Sequence, residues 1–296
     1  LARILVTGGE GQLAHALQDA HILEDTRYLG HAELDVTDRE RVRQILQIER
    51  PEWVINCAAY TQVDAAETHS PLAYAVNESG VRFLVETCEK IGARLLHIST
   101  DYVFGGSGNI PHKEDAVVHP ESVYAKSKRA GELAVLSSDC GIVLRTSWLY
   151  SYYERNFFRT ILTHCLRGNT LRVVADQIGT PTWAGNLARV IGVILAQPTP
   201  LNGILHYSDS GACSWYDFAC AIAQCAQSSS EITPIATEDW DAPAPRPRFS
   251  LLDCRKTLTR LGLRAPDWQT GLRTCYAELR ARDGGQYYRS RYTKEA

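Results

Sequence analysis

The segment that most constrains what this chain can become is Thr7-Gly8-Gly9-Glu10-Gly11-Gln12-Leu13-Ala14. It follows residues 3–6, Arg3-Ile4-Leu5-Val6, which read as a buried strand, and it opens a helical pattern at residues 12–18. Gly8, Gly11 and Ala14 fit the Gly-x-x-Gly-x-x-Gly/Ala spacing of dinucleotide loops. Small residues there let the backbone approach a pyrophosphate, which the free amides of the helix N-terminus then hold. A tight strand-to-helix turn asks for glycine as well, so the weight of the loop comes from its place at the first such junction. Strand-like segments at 28–29, 53–56, 95–99 and 142–145 then alternate with helix-like segments at 38–49, 71–91 and 121–137. That alternation predicts a parallel sheet with crossover helices. Asp38 stands near the N-terminus of the first of these helices, and Ser70 and Pro71 suit the N-cap and first position of the second.

The expected fold is α/β: a Rossmann-type doubly wound parallel sheet, with residues 1–150 as the dinucleotide-binding region. Residues 151–296 read as a smaller C-terminal lobe, with segments returning to the first sheet. In it, helices are expected at 156–167, 186–196 and 215–227, short strands at 171–174 and 203–207, and a proline-rich loop at 241–247. The polar tail after about residue 280 reads as loosely ordered.

Bulk composition narrows the partners. The 296 residues are 45% hydrophobic and 22% charged, with a net charge of −3, which gives no reason to expect nucleic acid or an anionic membrane. No apolar run approaches the ~20 residues needed to span a bilayer. The sequence runs directly into Ile4-Leu5-Val6 without a signal-peptide pattern, so a cytoplasmic location is expected. Nine cysteines, odd in number and without Cys-x-x-Cys spacing, read as reduced, mostly buried thiols. Glu78, Glu86 and Glu89 read as a solvated helix face. No dense carboxylate or histidine spacing points to a metal, and none is expected.

Tyr124 and Lys128 stand four residues apart on a predicted helix and face the same side of it. A phenol titrates near ~10, and a nearby cation favours its ionised form. Thr100, 24 residues earlier, could share the same substrate oxygen. Chance Tyr-x-x-x-Lys matches are common in a chain with 14 tyrosines. Yet only six of its 31 basic residues are lysine, and lysine, unlike arginine, can take part in proton relay. This pattern suits protonation of an oxygen on a carbon that exchanges hydride.

Taken together, these segments resemble the extended short-chain dehydrogenases/reductases, and within them the dTDP-4-dehydrorhamnose reductases. The likeness runs from Ile4 to about Leu279 through Gly8-Gly9-Glu10-Gly11-Gln12-Leu13, Asp35-Val36-Thr37-Asp38, Asn56-Cys57-Ala58-Ala59-Tyr60, Val63-Asp64-x-x-Glu67 and Ala75-Val76-Asn77. It continues with Ser99-Thr100-Asp101-Tyr102, Tyr124-x-x-x-Lys128-x-x-Gly131-Glu132, Arg145-Thr146-Ser147-Trp148, Asn156-Phe157, Asp176-Gln177-x-Gly179-x-Pro181-Thr182 and Arg246-Pro247-x-x-Ser250. Ala14 stands for the third glycine, and Ala65 stands where the family often has a lysine.

The resemblance implies roles. Tyr124 would be the general acid toward a C4 ketone oxygen. Lys128 would bind the nicotinamide ribose and lower the tyrosine pKa, and Thr100 would hydrogen-bond the same oxygen. Gly8, Gly11, Gln12, Leu13, His31, Asp35, Val36, Ala58, Ala59 and Tyr60 would line the cofactor. No clear ribose carboxylate follows the second strand, where His31 stands, which leans toward NADPH with NADH also open. Asp101 and Trp148 are implied sugar contacts, and Asn156, Gln177, Thr182 and Arg246 are candidates for the substrate, a dTDP-linked 4-ketosugar. A homodimer is the assembly common in the family.

Bland alternatives stay open at several positions. Asp35 to Asp38 can be a helix-capping turn, Trp148 a core aromatic, Asp176-Gln177 a turn, Arg246 a surface cation and His97 a packed core residue. Among relatives, 4,6-dehydratases carry Asp-Glu after the threonine; here Tyr102 follows Asp101, so reduction is expected over elimination. A second class, a non-catalytic relative like the methionine adenosyltransferase beta subunit, is disfavoured by the retained Thr100, Tyr124 and Lys128.

Overall fold

The computed structural model describes residues 3–106 and 108–282; residues 283–288, read above as part of a loose tail, lie outside the described residues. The first half runs β1 (Ile4–Thr7), α1 (Gln12–Ala20), β2 (Thr26–Leu29), α2 (Arg39–Glu49), β3 (Trp53–Asn56), α3 (Val63–Thr68), α4 (Ser70–Tyr74), α5 (Val81–Ile91), β4 (Arg94–Thr100), α6 (Val123–Leu136) and β5 (Gly141–Thr146). The second half runs β6 (Leu149–Tyr150), α7 (Phe157–Leu166), β7 (Leu171–Val174), β8 (Ile178–Gly179), β9 (Thr182–Trp183) and α8 (Ala184–Leu195). It ends with β10 (Gly203–His206), β11 (Cys213–Ser214), α9 (Trp215–Cys225), β12 (Ile232–Ile235), α10 (Arg255–Leu261) and α11 (Trp268–Ala281).

Six parallel strands form the central sheet in the order β10-β5-β4-β3-β1-β2. Both faces of a parallel sheet are covered by crossover helices, and the strands show it residue by residue. Ile4, Val6, Ile55 and Leu96 point into one core, built with Leu13 and Leu17 of α1 and Leu187 and Ile191 of α8. Leu5, Val54, Leu95 and Val143 point into the other, built with α2, α5 and Val135 of α6. The strand order reverses between β1 and β3, and the crevice at such a switch point is where open α/β sheets hold ligands. A separate aromatic core, with Tyr150, Phe158, Trp183, Phe218 and Trp268, lies among α7, α9 and α11.

Two helix expectations need correction. The long helix read at 71–91 is two α-helices joined by a π-helical segment at Ala75–Gly80. Ser70 is its first residue rather than the N-cap, which is His69. The cause is the short helix α3, missed in the sequence, which hands the chain over through His69 alone: the His69 N–H bonds Ala65 O, and the Leu72 N–H bonds His69 O. All nine cysteines are free thiols. Among the described residues, no helix is long and apolar enough to cross a membrane.

Candidate active site

The glycine loop turns from β1 into α1 against the end of β3. Gly8 has φ +64°, and a side chain there would meet Ala58 N at 2.7 Å. A Cβ on Gly9 would meet the Leu29 backbone at 2.9 Å, and Gly11 closes the turn by donating to Gly8 O at 2.9 Å. The backbone is thus packed to a tolerance that only glycine meets, with the first-turn amides of α1 at its rim. Those amides have no intrahelical partner, which makes the rim a fit place for a diphosphate. Ala14 is fully buried in the core, where it does the packing expected of the third glycine. Leu13 is buried beside it. The Gln12 side chain turns away to Leu149 O (3.2 Å), and its Oε1 accepts from Ser151 and Asn156.

Around the switch point, Ala58, Ala59 and Tyr60 leave β3. The Tyr60 backbone is clamped by Asn77, whose Oδ1 accepts from Tyr60 N (2.9 Å) and whose Nδ2 donates to Tyr60 O (3.1 Å) and to Ser127 Oγ (3.0 Å). Asn77 sits in the π-helical segment, a distortion often found at functional sites. It ties the crevice to α6, which approaches so closely that a Cβ on Gly131 would overlap Asn77 O. His31 is exposed, 3.9 Å from Asp35. The Asp35 carboxylate accepts from Thr37 N (2.9 Å) and Thr37 Oγ1 (2.8 Å), and Asp38 accepts from Arg41 N. This segment is therefore a capping turn for α2. Val36 points into the core and packs against Gly80.

The candidate reacting groups gather at the C-terminal end of β4. Thr100 ends the strand, its Oγ1 accepting from Tyr102 N and donating to Asp101 Oδ1, both at 3.2 Å. Thr146 stands beside it on β5. α6 starts on two caps, Ser122 Oγ accepting from Ala125 N (3.1 Å) and Glu67 Oε1 accepting from Val123 N (2.8 Å). It then presents Tyr124, Lys128 and Glu132 at successive turns. Burial pushes the Tyr124 phenol up to about 12, with a Thr100 hydrogen bond pulling the other way and Asp101 reinforcing the rise. Tyr102 packs edge-on against Tyr124, ring centroids 5.8 Å apart. Asp101 is fully buried, and its carboxyl is pushed up to about 7 by that burial, against hydrogen bonds from Ser250 and Thr100. Among the described residues, its Oδ2 has no hydrogen-bond partner within normal geometry.

Lys128 departs from the expectation that its charge lowers the tyrosine pKa. Its ammonium donates to Ile98 O (2.6 Å) and approaches His97 Nε2 (3.4 Å), and burial rather than lysine governs the phenol. Burial also lowers the Lys128 pKa to about 8, with Glu132 and Cys57 acting in the opposite direction. Glu132, one turn further, is bound by Arg145 through two 2.7 Å bonds, by Ser99 at 2.6 Å and by Arg129 at 2.8 Å. Sequence reasoning gave Glu132 no role, although its spacing of four from Lys128 placed it on the same face.

The remaining candidates divide. Gln177 and Thr182 are buried; the Gln177 amide donates to Thr237 Oγ1 (3.2 Å), while Thr182 Oγ1 has no hydrogen-bond partner among the described residues. Trp148, φ +44°, is stacked on Trp215 at 3.5 Å with its other side against Gly179, as a packed aromatic would be. Asn156 caps α7 by accepting from Arg159 N, and its amide donates to Ser151 O and Tyr153 O. Arg246 is held by Asp64 through two 2.6 Å bonds and lies over Trp240. The guanidinium expected to contact the substrate is thus paired with a carboxylate 182 positions away in sequence. Among the described residues, no group of three or more His, Cys, Asp or Glu is placed to hold a metal.

The RmlD substrate binding domain family matches residues 2–281. The chain belongs to this family. A dTDP-4-dehydrorhamnose reductase from Aggregatibacter actinomycetemcomitans is 40% identical over 94% of the chain and 100% of its own length. A probable dTDP-4,6-dihydroxy-2-methyloxan-3-one 4-ketoreductase from Streptomyces antibioticus is 40% identical over 94% and 96%. The crystal structure of dTDP-4-dehydrorhamnose reductase from Bacillus anthracis in complex with NADP superposes with a TM-score of 0.89, at 36% identity, over 94% of this chain and 99% of that one. The superposed structure shares the Rossmann-type arrangement expected from the alternating strands and helices.

Proposed function

We propose that this chain reduces the C4 ketone of dTDP-4-dehydro-L-rhamnose to dTDP-L-rhamnose with NADPH, NADH being the other usable form. The observation that carries this reading is the meeting of Thr100, Tyr124 and Lys128 at the end of β4, beside the crevice between β1 and β3. Residues 1–150 would hold the cofactor, its diphosphate on the rim formed by Gly8, Gly11 and α1 and its flank against Ala58, Ala59 and Tyr60. A bound nicotinamide supplies the hydride. Tyr124 protonates the ketone oxygen, Thr100 hydrogen-bonds that oxygen, and Lys128 exchanges protons behind the phenol. Asp101 Oδ2, unpartnered and buried, is suited to a sugar hydroxyl, as is Thr182 from the second lobe. The location proposed is the cytoplasm, and the assembly a homodimer.

A second sugar is favoured by one observation: the Streptomyces relative named for a different dTDP-ketosugar is as similar as the first. The test measures NADPH absorbance with dTDP-4-dehydro-L-rhamnose and with other dTDP-4-ketosugars. Wild type is expected to turn over the rhamnose precursor fastest. Tyr124→Phe is expected to lose about 10²–10⁴-fold in kcat while still binding NADPH. An inert wild type, or a fully active Tyr124→Phe, sinks the reading.

A further inference from the structure

A buried polar chain lies beneath the reacting groups. It starts at the end of β1, where Thr7 donates its hydroxyl to Asn56 Oδ1 (2.6 Å). The same oxygen accepts the Ala58 N–H (3.2 Å), and a backbone N–H can only donate. The Asn56 amide is therefore oriented, with Nδ2 turned to His97 Nδ1 at 3.0 Å. An amide NH2 also only donates, so His97 Nδ1 is an acceptor and the neutral ring carries its hydrogen on Nε2. That nitrogen faces Lys128 Nζ at 3.4 Å. Asn56 and His97 are 1% and 0% exposed, so water does not compete for these contacts.

An ammonium at Lys128 satisfies Ile98 O but meets a second donor in His97. A neutral amine offers Nε2–H a lone pair. We propose that His97 is a positioning residue for the reduction: with its tautomer fixed by Asn56, it holds an N–H against Lys128 Nζ and keeps that amine able to both take up and release a proton. This rests on the reading of Lys128 as one of the reacting groups. The other titratable groups facing Lys128 are Cys57 after β3 and Glu132 on α6, both favouring the ammonium, with Tyr124 one turn back on α6. Toward His97, β3 offers uncharged Asn56 and β5 offers Val143. Lys128 is the charged group acting on the ring, and burial followed by that charge keeps the ring neutral.

The test is NMR of the resting protein with labelled histidine and lysine, in wild type, Asn56→Asp and His97→Gln. Nine histidines and six lysines keep the spectra assignable. Wild-type His97 is expected to be neutral and protonated on Nε2. In Asn56→Asp a carboxylate oxygen accepts at Nδ1, the tautomer reverses, and the Nε2 lone pair turns to the ammonium. The Lys128 titration midpoint is then expected to rise by about one pH unit or more, with the alkaline limb of the kcat profile following it. His97→Gln, whose amide oxygen can accept from the ammonium, is expected to move the midpoint the same way without adding charge. A wild-type ring protonated on Nδ1, or a Lys128 midpoint unmoved in His97→Gln, overturns the proposal. Both spectra are recorded without substrate, so an enzyme inert toward ketosugars would sink the proposed function while the tautomer and midpoint are still read.

Discussion

Lys128 and Glu132 stand one turn apart on the same face of α6, both charged residue types and both buried, yet their surroundings are opposite. Glu132 accepts hydrogen bonds from two arginines and a serine. Burial alone would raise its pKa, but Arg145, Ser99 and Arg129 outweigh that and leave it lowered. Lys128 has one carbonyl and a histidine that presents a donor, and its pKa falls to about 8 chiefly through burial. The lower half of the helix anchors α6 to β4 and β5 with a satisfied charge. The upper half holds a charge that the fold does not compensate. A group proposed to change protonation state cannot be locked into one of them, so the anchor and the proposed reacting group are different residues of one helix.

The largest effect that sharpens this contrast is at Glu132. Removing one member of a buried ion pair leaves the other charge unpaired, a loss of about 3–5 kcal/mol. Glu132→Gln is expected to lose that much in unfolding free energy at pH 7, read by denaturant melts. Because the folded carboxylate pKa is depressed, its contribution is fully present above the ordinary value of 4.5 and is lost as pH falls through the folded value. The gap between the two proteins should therefore narrow in acid, and a gap constant with pH would show that packing, not charge, anchors the helix.

At Lys128 the sign reverses. Replacing a poorly compensated buried charge by an apolar chain of similar length is often stabilising. Lys128→Met is expected to gain about 1–3 kcal/mol at pH 7 while losing turnover. The folded state binds the lysine proton less tightly than the unfolded chain does. The gain should thus be full below pH 8 and fade as pH rises toward the ordinary value of 10.5. A Lys128→Met protein less stable than wild type at pH 7 would mean that its bond to Ile98 O outweighs burial.

Legibility in the sequence followed periodicity. The strands were readable because parallel strands are apolar on both faces, and Tyr124 and Lys128 because a spacing of four is a helical spacing. The glycine loop was readable because backbone crowding leaves a one-letter trace. Features without a local trace depend on contacts across the chain. Asn56 and His97 sit in strands whose neighbours are apolar, so the sequence pattern marks them as core, and only the sheet register brings them together. Arg246 and Asp64 are separated by most of the fold before they pair. Asn156 carries an N-cap residue type before a helix, a signal readable from the sequence. The π-helical segment at Ala75–Gly80 has no local signature, since Asn77 is explained by its partners on Tyr60 and Ser127.

The smallest expected effect lies at the start of α6, where the division between anchoring and reacting ends is most exposed to failure. Ser122 and Glu67 cap different amides of the first turn, just ahead of Tyr124. Ser122→Ala removes one cap and is expected to cost about 1 kcal/mol. Glu67 still holds Val123 N, Asn77 still holds Ser127, and the Glu132 pair still fixes the far end. The Tyr124 phenol should then keep its place, and kcat should change less than about twofold, since an unmoved phenol leaves the barrier unchanged. If the same variant instead loses more than tenfold in kcat while losing only that much stability, the reacting end is positioned by its own first turn. The buried ion pair would then stabilise the helix without aligning it.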